Sequence, residues 1–97
     1  MPKYVMLMKL TAKGLAELKD APARMQQGIK MAEAAGAKVE SLHVTMGPYD
    51  YIAIADGPSD EAAAVVAMGL GMQGHVTTQT LRAFTPEEFA GLVGKLG

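Results

Sequence analysis

The chain of 97 residues contains no cysteine and no tryptophan, and its aromatic residues are three tyrosines and two phenylalanines. Without cysteine there is no disulfide, no thiol nucleophile and no thiolate metal site. An excess of charge is also missing. Nine basic residues stand against ten acidic ones, for a formal net charge of -1, and they form no basic stripe. That argues against a nucleic-acid or anionic-membrane surface. A membrane span is missing as well. Residues 62–81 carry no Lys, Arg, Asp or Glu, but the apolar character ends at Met72, where Gln73, Gly74 and His75 follow. A spanning helix needs about 20 mostly apolar residues. The opening Met1-Pro2-Lys3-Tyr4 leads into a short alternating run with Lys9 inside it, which is not a signal-peptide core, so a cytoplasmic protein is expected.

What is present fits one globular domain over residues 1–97, with 49% hydrophobic and 20% charged residues and no repeats or linkers. Lys3 to Leu10 reads as a strand, with Tyr4, Met6, Met8 and Leu10 on one face and Val5 and Leu7 on the other. Thr11 caps a short helix weakened by Gly14. Asp20-Ala21-Pro22 then opens a longer helix, with Asp20 as its cap and Gly36 just past its end. Ala37 to Met46 alternates again. Gly47-Pro48-Tyr49-Asp50 predicts a type I turn. If Met46 then pairs with Tyr51, Leu42, Val44 and Met46 share a face with Tyr51, Ala53 and Ala55, while His43 and Thr45 join Ile52 and Ile54.

Asp56-Gly57-Pro58 closes that strand, and Ser59 caps a helix with Asp60 and Glu61 in its first turn. This helix is expected to loosen at Gly69. His75 to Phe84 is the last strand. Thr85-Pro86-Glu87-Glu88 holds a cap, a proline at the first helical position and a capping-box glutamate, ahead of a stripe of Phe89, Leu92, Val93 and Leu96.

The order β-α-β-β-α-β plus a C-terminal helix predicts an α+β, ferredoxin-like fold with an antiparallel sheet in the order 4-1-3-2. The two central strands are apolar on both faces, yet helices can cover only one. A second sheet is the simplest cover for the other. The expectation is therefore a homodimer through sheet-to-sheet packing, a dimeric α/β-barrel, with higher oligomers open.

Gly47-Pro48-Tyr49-Asp50, the apolar strand after it, Asp56-Gly57-Pro58, Thr78-Gln79-Thr80-Leu81-Arg82-Ala83-Phe84, the opening Tyr4-Val5 strand and Asp20-Ala21-Pro22 together resemble the GYD-domain family. The resemblance covers nearly the whole chain and implies the same dimeric barrel. It implies no firmly assigned activity. Other families on this barrel bind small ligands, act as cofactor-independent oxygenases or isomerases, or hold haem, and reading any of these across is analogy at the level of fold.

Candidate residues follow from chemistry. Tyr49 and Asp50 are either a donor and a base at a pocket rim or a structural turn. His43 is a mid-strand group able to move protons near neutrality, or a satisfied half-buried histidine. An apolar ligand pocket between sheet and helices is expected from Tyr4, Met6, Tyr51, Met68, Met72 and His75. Eight methionines suit an adaptable core better than a soft-metal site. Two distant histidines without a helical spacing motif give no metal site, and no cofactor is expected. The first functional reading is a non-enzymatic small-ligand-binding, sensory or assembly module. The second is a cofactor-independent oxygenase or isomerase using His43, helped by Tyr49 and Asp50. Haem held by His43 or His75 is a third.

Overall fold

Alternation of apolar side chains on both faces makes Lys3–Leu10 (β1) a central strand, and the chain builds outward from it. A computed structural model describes all 97 residues. After β1 come α1 (Ala12–Ala16), α2 (Ala21–Ala34), β2 (Lys38–Val44), β3 (Tyr51–Asp56), α3 (Asp60–Met72), β4 (Val76–Ala83) and α4 (Pro86–Val93). Short 3-10 turns at Leu18–Asp20 and Gly94–Leu96 precede α2 and follow α4. The four strands form one sheet in the order β2-β3-β1-β4, with every neighbouring pair antiparallel. This is the expected 4-1-3-2 ferredoxin-like order, read from the other edge.

The inner face carries Tyr4, Met6, Met8 and Leu10 of β1 with Tyr51, Ala53 and Ala55 of β3. These residues, together with residues of α2 and α3, line one cavity. The outer face carries Val5 and Leu7 of β1 against Ile54 and Ile52 of β3, all half-buried.

Helix ends follow local chemistry in three places. Ser59 accepts from the N–H of Ala62, Thr11 accepts from the N–H of Gly14, and Thr85 with Glu88 forms a complete capping box. Asp20 differs from expectation. It sits in the 3-10 turn at φ -91°, ψ -2°, already helical, so its carboxylate makes no cap. The helix α3 also runs unbroken through Gly69 and Gly71 to Met72. Ala62–Ala64, Ala67, Met68 and Leu70 around these glycines are strong enough helix formers to carry them.

The β2–β3 connection is wider than a four-residue turn. The N–H of Thr45 donates to the carbonyl of Asp50 at 2.8 Å, and Gly47 takes φ 98°, which a residue with a Cβ rarely adopts. The first strand pair is therefore Val44 with Tyr51, two residues short of Met46. Because the shift is even, the faces hold: Leu42 pairs Ala53 and His43 pairs Ile52. A bulge between Val39 and Ser41 then changes parity, so Val39 pairs Ala55 and joins Leu42 in lining the inner cavity. Strict alternation back from His43 would put Val39 on the outer face.

The helix α4 stands away from the body, packing chiefly on the turn that follows it. The principal extents are 53 × 30 × 18 Å, long for one small domain. Phe89 is 61% and Leu96 83% exposed, so the predicted stripe of α4 has formed and is uncovered within the chain.

Candidate functional site

The motif Gly47–Asp50 is held by its own acidic end. The Asp50 carboxylate accepts from the backbone N–H of Leu10 at 2.8 Å, and the Asp50 N–H donates to the carbonyl of Met8 at 2.8 Å. Asp50 thus extends the β1–β3 ladder by one step, its side chain replacing a carbonyl. Thr45 Oγ1 donates to the carbonyl of Tyr49 at 2.7 Å, and the Tyr49 hydroxyl donates to Gln79 Oε1 at 2.7 Å. Tyr49 therefore reaches over the outer face near Leu7 and Lys9.

These bonds predict the cost of losing Asp50. The substitution Asp50→Ala strands the Leu10 N–H and frees the loop, lowering stability by about 1–3 kcal/mol. Asp50→Asn keeps an acceptor and costs less. Chemical denaturation of the three proteins checks the order; equal stability for Asp50→Ala and the parent would contradict the assigned bond.

His43 lies exposed on the outer face, paired with Ile52. The same row across the sheet reads His43, Ile52, Leu7, Gln79. Three strand spacings, roughly 14 Å, separate the backbones of His43 and Gln79. Tyr49 is tied to the Gln79 end and Asp50 to Leu10, so the structure does not bring His43 together with Tyr49 and Asp50.

The inner cavity, about 130 Å³, collects a different group. Tyr4, Met6, Tyr51 and His75 all line it, as do Arg24, Met25, Ile29 and Val66. Met68 and Met72 do not; they are 60% and 87% exposed on the outward side of α3. Arg24 was not foreseen from the sequence, where its place in the α2 periodicity puts it on the solvent side. Its guanidinium instead donates to the carbonyls of Glu17 and Gly14 at 2.9 and 3.4 Å.

At the other end of the cavity, the Tyr4 hydroxyl donates to Asp60 Oδ1 at 2.5 Å. That bond to Asp60, and then burial, hold the Tyr4 phenol above its ordinary value. Its folded-state pKa is raised, so the associated stability is complete below the unfolded phenol value of about 10 and is lost as pH rises through the folded one. An ultraviolet tyrosinate titration is expected to show a late-titrating component that is absent in Tyr4→Phe. The same curve for the parent and Tyr4→Phe would contradict it.

No group of three or more His, Asp or Glu side chains is placed to hold a metal ion. No helix is long and apolar enough to cross a membrane.

Comparison with known proteins adds two findings. Residues 4–93 match the family described as GYD domain. A protein of Thermus thermophilus named "Glutamine synthetase and cystathionine beta-lyase binding protein" is 27% identical over 84 residues, covering 86% of this chain and 88% of that protein.

Proposed function

The chain belongs to the GYD-domain family, and from that membership we propose that it is a homodimeric, non-enzymatic binding module that docks on another protein. The observation that carries the reading is an excess of exposed surface. A folded monomer of 10.2 kDa should expose about 5,300 Å². This chain exposes 6342 Å², and only eight of its residues are buried. The excess, roughly 1,000 Å², is close to the 800 Å² or so that each partner gives to a stable interface.

Two surfaces contribute to it. On the outer sheet face, Val5, Leu7, Ile52 and Ile54 form an apolar centre. Around it stand Lys3, paired to Glu40 at 2.8 Å and to Asp56 at 3.1 Å, and the Tyr49–Gln79 bond at the opposite end. An apolar centre with a polar rim is the anatomy of an interface, and two copies can match it face to face. The other surface is α4. A helix of eight residues does not hold its shape alone in water, so its stripe needs cover, which a second copy supplies.

The partner protein is suggested by the Thermus relative, whose name gives glutamine synthetase and cystathionine beta-lyase. Those two enzymes are the first candidates for this chain, in the cytoplasm. The test is biolayer interferometry with each purified enzyme. Saturable binding by the dimer is expected for at least one. Failure of both at micromolar concentration, with the dimer intact, would remove the protein-partner reading.

A further inference from the structure

Small side chains on both layers leave the inner cavity open. Ala53 and Ala55 of the central strand β3 line it on the sheet side, and Ala32 of α2 and Ala63 of α3 line it on the helix side. Larger side chains at these positions would fill the space. At about 130 Å³ the cavity is close to one known, when lined by apolar side chains, to hold a single benzene-sized molecule (about 150 Å³).

The lining carries one charge of fixed sign. Arg24 belongs to it, and no aspartate or glutamate does. Arg24 is half-buried and takes part in no ion pair. Backbone alone holds its guanidinium, which donates to the carbonyl of Glu17 at 2.9 Å and to that of Gly14 at 3.4 Å. Those bonds use two of its five N–H donors and leave three. An arginine taken partly out of water is ordinarily paired with an acid. A carboxylate fits the planar fork of its donors and forms charge-assisted hydrogen bonds with it. The other polar groups agree with an anion. The Tyr51 hydroxyl and the Gln73 amide also line the cavity, and each has a donor to offer a carboxylate. Lys13 Nζ donates to the Gln73 carbonyl at 3.2 Å and adds a second cation behind that part of the rim. The Tyr4 hydroxyl is given to Asp60 at the other end. His75 serves as wall, its Nδ1 enclosed and its Nε2 turned to Glu17.

We propose that this cavity binds a small ionised carboxylic acid with a single-ring or short branched apolar body, its carboxylate on the Arg24 guanidinium. The apolar walls select the body, and the one fixed charge selects the sign of the head group. Because Arg24 is only half-buried, the carboxylate keeps part of its water while the body loses its own. An organic cation is disfavoured, since its ammonium would meet Arg24 and find no carboxylate in the lining. The site lies on the face of the sheet opposite the proposed dimer contact, so it rests on neither the dimer nor the protein partner.

The test uses the full chain and three probes of similar shape and different charge: benzoate, benzamide and benzylammonium. Ligand-observed NMR at pH 7 is expected to show benzoate bound, with benzamide about tenfold weaker for want of the charge. Benzylammonium should be the weakest. One readout needs no variant. The ¹⁵Nε resonance of Arg24 should move with benzoate, while that of Arg82, which does not line the cavity, stays still. In Arg24→Gln, with its circular dichroism spectrum kept, benzoate should fall to the level of benzamide and benzamide should be unchanged. A residue that acted only through the fold would lower both probes alike. A second variant, Ala53→Leu, should fill the cavity and remove both. Benzoate failing to bind the parent at millimolar concentration, or binding no better than benzamide or benzylammonium, would overturn the proposal. So would a still Arg24 resonance with benzoate bound, a folded Arg24→Gln that keeps the preference for benzoate, or undiminished binding to Ala53→Leu. Enzyme binding and subunit count are measured separately, so their failure is distinguishable from this one.

Discussion

A glutamate at the centre of the outer sheet face, Ile54→Glu, is expected to turn a dimer into a monomer. Ile54 pairs with Val5 on one side and Ser41 on the other, in the middle of the half-buried apolar patch. In a face-to-face dimer the new carboxylate would be buried without a cationic partner, because Lys3, a nearby cation on this face, is already held by Glu40 and Asp56. An unpaired buried charge costs about 3–5 kcal/mol, which weakens association by a hundredfold or more. Ile54→Val, which removes one methylene, should leave the dimer intact. Sedimentation velocity at micromolar concentration separates the two outcomes. A parent that sediments as a monomer, or an Ile54→Glu variant that remains a dimer, would remove the sheet-to-sheet packing from the reading.

Two levels of the structure motivate that proposed packing. Apolar side chains on both faces of β1 and β3 were legible in the sequence, as were the strand order and three helix caps. What the alternation could not show is how far the β2–β3 loop would open. The Thr45–Asp50 hydrogen bond closes the loop two residues before the turn predicted from Gly47-Pro48. A two-residue slip keeps every face, so the assignment of His43 to the side of Ile52 survived a wrong register. The bulge at Val39–Ser41 had no such protection, since a single extra residue reverses the faces.

The candidate site was partly legible for a similar reason. Strand parity places Tyr4, Met6 and Tyr51 on one face, and the structure gathers them with His75 around the cavity. Met68 and Met72 lie on a helix whose apolar residues point nearly all around, so periodicity had little to say about which side faces the sheet. Arg24 and Glu17 come from α2 and from the turn before it. Only the three-dimensional approach of α1 and α2 to the Gly74–His75 turn joins them to the cavity.

That approach depends on one residue without a side chain, and Gly14→Ala is expected to be the most destabilising conservative change in the chain. Helix propensity favours the substitution, by about 0.8–1 kcal/mol. Packing opposes it more strongly. A Cβ at Gly14 would lie 2.2 Å from the His75 carbonyl oxygen, 2.9 Å from Leu10 Cδ2 and 3.1 Å from the His75 carbonyl carbon. Leu10 can turn aside, but the carbonyl is backbone and is already bonded to the N–H of Thr11 at 3.0 Å. Thr11 also donates its hydroxyl to the Gly74 carbonyl at 2.6 Å while accepting from the Gly14 N–H at 3.1 Å. Relieving the clash therefore pulls on the two bonds that fasten Thr11 to the start of β4 and on the cap of α1. Overpacking and loss of the Thr11 cap together should cost about 2–4 kcal/mol after the propensity gain, lowering Tm by about 10–25 °C. Gly71→Ala gives the opposite sign. Gly71 lies in α3 with nothing within 4 Å of its missing Cβ, so propensity acts alone and stability should rise by up to about 1 kcal/mol. Thermal unfolding of both variants followed by circular dichroism tests the pair. A Gly14→Ala protein as stable as the parent would mean that α1 does not press on His75. The end of the cavity would then lack the rigid wall that holds the His75 ring against Glu17.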